Sequence, residues 1–175
     1  MKISFELEPA DVERFREALT RTRDAVRSAD DGDIVESAKH TLDGLLLGDA
    51  PTYVRDRIKQ VQRLITMLED DAWALPRHHR DEVITALVYF SDPHDMISDA
   101  LPVIGMLDDA IMLELFLRQE ADLLRAYDRF CEYRRTLGAV PDVLAARTEW
   151  CAALSRRRGQ LLSRLDASRR RREAV

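Results

Sequence analysis

The chain is short of the residues and patterns that usually announce a function. Six glycines and six prolines among 175 residues leave little room for flexible linkers or low-complexity segments. Cysteine is nearly absent: Cys131 and Cys151 stand in helical stretches with no CxxC and no Cys/His cluster beside them. They read as reduced packing residues, neither zinc ligands nor a bridge, which favours a reducing compartment. The opening MKISFELEPADVERF has no apolar run like that of a signal peptide and turns acidic almost at once, so the expectation is a protein that stays in the cytoplasm. Enzyme motifs are missing too. There is no glycine-rich phosphate loop, no HExxH and no serine or cysteine nucleophile in a recognisable setting. His78 and His79 follow Pro76 at a helix start and read as surface side chains, as do His40 and His94.

A membrane-spanning run is also lacking. The most apolar window, Ala100 to Leu117, is interrupted by Asp108, Asp109 and Glu114. Two central aspartates cost about 5 to 7 kcal/mol on insertion scales, against about 4 to 6 returned by about a dozen apolar residues.

What is present is a charged, globular composition: 46% hydrophobic and 34% charged, with a net charge of −5. A chain of this size buries about two-thirds of its unfolded surface. The charge is unevenly placed. From Ser155 onward eight arginines face only Asp166 and Glu173, a balance of +6 that leaves −11 on the remainder. Arg169, Arg170, Arg171 and Arg172 are the densest part, and they are candidates for weak contact with a nucleic acid or an anionic membrane surface. The alternative is a solvated helix end whose cations suit the C-terminal dipole.

Apolar residues recur at helical spacing along almost the whole chain. Pro9, Val12, Phe15, Leu19 and Val26 predict a first helix over about 9–29, after a short extended arm at Ile3, Phe5 and Leu7. Ile34, Val35, Ala38, Leu42 and Leu45 predict a second, with Gly48 as its stop. A third begins near Pro51 and ends in the acidic run before Trp73, and Pro76 opens a fourth that closes in Leu87, Val88, Tyr89 and Phe90. Asp108 to about Thr136 has no glycine or proline and is apolar almost all round at first, which places it at the centre of a bundle. Gly138 and Pro141 separate it from a last helix. Pairs such as Glu114 with Arg118 and Arg118 with Asp122 read as surface helix stabilisation, and Trp73 and Trp150 as packing anchors. The expected fold is an all-α, single bundle of six or seven helices with a central apolar helix. Residues 1–140 form the helical domain, with a hairpin over about 75–135. Residues 141–175 form a C-terminal helix with an arginine-rich end, packed at its start on the same domain.

One segment resists this plain reading. YFSDPHDMISDALPVIGMLDDAIM, residues 89–112, sets five aspartates among apolar positions. Asp92 precedes Pro93 and suits an N-cap, with Asp95 at the third helical position. Asp108 and Asp109 open the central helix, where the dipole favours negative charge. Asp99 has no such role. It lies toward the C-terminal end of a short helix and follows Asp95 at a like-charge spacing. A hairpin through Pro102 and Gly105 could bring Asp92, Asp95, Asp99, Asp108 and Asp109 together. Converging carboxylates need arginine partners, protonation or a cation. As a metal set, Asp95, Asp99, Asp108 and Asp109 suit Mg2+, Mn2+ or Ca2+ rather than zinc.

The segment resembles the signature of the YkvA-like family, a bacterial domain of unknown function. The matching positions are Tyr89, Pro93, Asp95, Asp99, Pro102, Gly105, Asp108 and Asp109; Ser98 stands where relatives often have proline. The resemblance implies a helical hairpin and supplies no activity. Some relatives look membrane-associated, which raises a peripheral location at the inner face of the membrane. The leading expectation is a non-enzymatic interaction or scaffold module with an unknown protein partner or a second copy of itself. A divalent-metal-dependent hydrolase of a phosphate ester or nucleotide is the alternative.

Overall fold

The computed structural model describes residues 9, 10, 13, 17, 30–45, 51–91 and 107–174, with the backbone alone described at 108 and 173. All described elements are helices, and the fold is an all-α helical bundle, as expected. They are α1 (Asp31–Gly44), α2 (Thr52–Glu69), α3 (Arg77–Ser91), α4 (Leu107–Gln119), α5 (Ala121–Thr136) and α6 (Leu144–Glu173). Pro9, Ala10, Glu13 and Glu17 are helical and exposed, within the range expected for a first helix. No described helix is long and apolar enough to cross a membrane. The chain divides into two compact units, residues 1–65 with 76–116, and residues 66–75 with 117–175.

In the first unit α1 begins at Asp30, whose carboxylate accepts a hydrogen bond from Gly32 N at 2.7 Å. A Cβ on Gly32 would lie 2.9 Å from that oxygen, so the cap needs the bare backbone there. α1 ends at Gly44, one turn short of the expected stop at Gly48. It lies against α3, and Asp31 secures the pair by accepting from Arg80 Nε at 2.6 Å and from Arg77 Nη1 at 3.2 Å. The stripe Val54, Ile58, Val61, Leu64 and Ile65 of α2 is fully buried, as the spacing predicts. α4 buries Ala110, Ile111, Met112 and Leu113 in succession, which puts core on all of its sides. α2 meets it through Tyr53, whose hydroxyl donates to Ala110 O at 3.5 Å, and through an Arg57–Glu114 ion pair.

His79 departs from expectation. It is fully buried, on the stripe shared with Val83, Leu87 and Phe90, and its ring lies 4.0 Å from that of His78, which is exposed.

The second unit is organised around the turn after α2. Asp70 accepts from Ala72 N at 3.1 Å and Trp73 N at 3.2 Å, closing the turn, and from Tyr127 Oη at 3.1 Å and Arg134 Nη1 at 3.0 Å on α5. Trp73 is fully buried against the rings of Tyr127 and Phe130, the packing role expected of it. Burial chiefly, with a hydrogen bond to Cys131 and the charge of Asp70 adding to it, pushes the Tyr127 phenol well above its ordinary value. α5 closes at Gly138, which takes the left-handed conformation at φ 74. α6, 30 residues long, then returns along α5 with its second half.

The run from Asp108 to Thr136, read as one helix, is two. The chain turns at Glu120, which is 3% exposed and has φ −96 and ψ 20.

Candidate functional site

The aspartate motif begins where α3 ends. Ser91 closes that helix by donating its hydroxyl to Leu87 O at 2.9 Å. Asp92, Asp95 and Asp99 lie outside the described residues, together with Pro93, His94, Pro102 and Gly105, and so does the side chain of Asp108. Asp109 is described. It sits in the first turn of α4, 6% exposed, and takes part in a polar interaction of its own. A carboxylate in the core is therefore real at this position, at the helix end where the dipole favours it.

The arginine-rich end of the chain stays helical to Glu173. Arg169 Nη2 donates to both carboxylate oxygens of Glu120, at 3.1 and 3.0 Å. Arg172 Nη2 lies 2.7 Å from Asp122 Oδ2, which also accepts from Ser168 Oγ at 3.3 Å. Arg171 Nε donates to Ala167 O at 3.2 Å, and Arg170 is exposed. Two of the four arginines thus tie the end of α6 to the start of α5, Arg169 at the N-cap Glu120 and Arg172 in the first turn. Both ends gain, since cations suit a helix C-terminus and carboxylates an N-terminus. The Arg125 hydrogen bond, with the charges of Arg172 and Arg125 and the Ser168 bond, holds the Asp122 carboxyl below its ordinary 3.8 against the opposing effect of burial.

Next to these ties the α5–α6 groove opens into a pocket of about 150 Å3. Ala126, Leu161 and Leu165 form an apolar floor; Asp122, Arg125, Arg129, Arg164 and Ser168 surround it. On α5 the lining residues 122, 125, 126 and 129 share one face, and on α6 so do 161, 164, 165 and 168. The signal for the pocket was this pair of matched faces, each mixing arginine with small or apolar residues.

A third feature lies at the start of α6. Val140, Val143 and Leu144 are 53%, 68% and 77% exposed, and no residue from 144 to 153 is buried. Cys151, expected to be a packing residue, is exposed there, because the buried stripe of α6 begins only at Leu154. Trp150, also expected to anchor packing, is half-buried.

No curated protein and no solved structure matches the chain. Residues 82–115, from α3 into α4, match the model of a family described as a protein of unknown function (DUF1232), with which the YkvA-like resemblance of the aspartate motif is consistent.

Proposed function

We propose that the chain is a non-enzymatic interaction module of the cytoplasm that pairs with a second copy of itself through the start of α6. The observation that carries this reading is the apolar stretch from Val140 to Ala153, exposed but for the half-buried Pro141, Trp150, Ala152 and Ala153. Leu144, Ala145, Ala146, Trp150, Cys151, Ala152 and Ala153 make most of its first three turns apolar. Helical segments owe most of their stability to packing of such a face. Val143 occupies the N-cap with no side-chain cap bond. Serine or aspartate there would be worth about 1 kcal/mol, so an exposed valine forgoes stability in the single chain for apolar surface. Apolar clusters of this kind mark contact sites.

A second copy suits it because the helical part of the stretch, Leu144 to Ala153, carries one charge of each sign, Arg147 and Glu149, with Asp142 ahead of it. A two-fold contact needs such self-complementarity, so that each copy's arginine meets the other's glutamate. Sedimentation of the full chain over a range of concentrations tests this reading. A dimer is expected that Leu144→Asp dissociates, while Val143→Ser weakens association and raises the melting temperature of the separated chain. A wild-type chain that stays monomeric throughout, or a dimer indifferent to both substitutions, overturns it.

A further inference from the structure

We propose that the pocket between α5 and α6 is a binding site for a phosphate group. Arg125 and Arg129 project from one face of α5 at a spacing where like charges repel. Arg164 meets them from α6. Arg125 is engaged by Asp122, but that carboxylate already serves Arg172 as well. Arg129 and Arg164 are exposed, and neither has an ion pair among the described residues. Three arginines against one shared carboxylate leave the lining positive, and an anion placed among them removes the repulsion that the empty arrangement carries.

The chemistry of the walls narrows the anion. Guanidinium groups offer planar forks that match the oxygens of phosphate in pairs. The apolar floor of Ala126, Leu161 and Leu165 keeps water from one side, which strengthens charge-assisted bonds made above it. The volume of about 150 Å3 admits a phosphate with a small substituent and falls short of the several hundred Å3 that drug-sized ligands occupy. The phosphate can come from a small soluble ester or from a lipid headgroup that carries a terminal phosphate. The chemistry recognised is the same, and only the source differs.

The full chain is titrated calorimetrically with inorganic phosphate at constant ionic strength, and separately sedimented with phosphatidylcholine vesicles with and without phosphatidic acid. Saturable binding of one phosphate per chain is expected, weakened about ten-fold or more by Arg129→Ala and by Arg164→Ala, each of which removes a charged hydrogen-bond donor. Arg156→Ala, exposed elsewhere on α6, should bind as wild type. Retention on phosphatidic acid vesicles that depends on the same two arginines assigns the phosphate to lipid. Phosphate binding without such retention assigns it to a soluble ligand. If neither probe binds, or if binding survives both substitutions, the site is refuted. Both arginines are exposed, so folded variants are expected, and unchanged far-ultraviolet circular dichroism verifies it.

Discussion

Replacing Arg169 by methionine tests whether the arginine-rich end of the chain is a structural part of its unit. Methionine keeps the aliphatic length of the side chain and removes the guanidinium from Glu120, to which it donates at 3.0 and 3.1 Å. Glu120 is 3% exposed, so the variant leaves a carboxylate in the interior without its arginine. Breaking a buried pair from one side costs about 3 to 5 kcal/mol. The Arg169 side chain is itself 24% exposed, and both residues make further interactions, which puts the expected loss at the lower end, about 3 kcal/mol. For a chain of this length that lowers Tm by about 6 to 12 °C. Both tryptophans, Trp73 and Trp150, lie in the second unit, so their fluorescence follows the unit in question while circular dichroism follows all the helices. Replacing both partners, Glu120→Leu with Arg169→Met, should recover most of the loss, because an apolar pair leaves no charge stranded. An Arg169→Met chain within about 1 kcal/mol of wild type would refute the reasoning.

Two further outcomes are expected. Gly138 adopts φ 74 with open space around it, so Gly138→Ala should cost about 1 kcal/mol from backbone strain alone and Gly138→Asn less; an alanine variant more stable than wild type would contradict this. Tyr127 is held protonated above the ordinary 10.0, so its contribution to stability is complete below pH 10 and is lost as pH rises beyond that. The phenolate absorbance that belongs to Tyr127 should appear only as the fold is lost, a fraction absent from Tyr127→Phe; a Tyr127 fraction that titrates in the folded chain would count against the buried site.

The helices were legible because each buries a stripe at the spacing its own sequence announces. Ile58, Val61, Leu64 and Ile65 needed no partner to be recognised as one face. His79 was misread for want of the same test: it falls four and eight places before Val83 and Leu87, inside the stripe, and its polarity masked its position. The break at Glu120 was not legible, since no glycine or proline marks it. What accompanies it is a long-range contact, with Arg169 gripping the carboxylate from 49 positions away.

The same limit governs the charges as a whole. Local spacing offered Arg118 to both Glu114 and Asp122; Glu114 also takes Arg57 from 57 positions away, and Asp122 takes Arg172 beside its local partner Arg125. In a sequence with 27 basic residues many carboxylates outside the aspartate motif have a nearby candidate, and helix spacing is worth only tenths of a kcal/mol in choosing among them. Partial burial decides instead, because a charge losing water gains most from the partner that shares its pocket. It follows that the informative arginines are those that tertiary structure leaves without a carboxylate. Arg129 and Arg164 are two such residues, brought to one pocket by two helices, and no reading of either helix alone could have joined them.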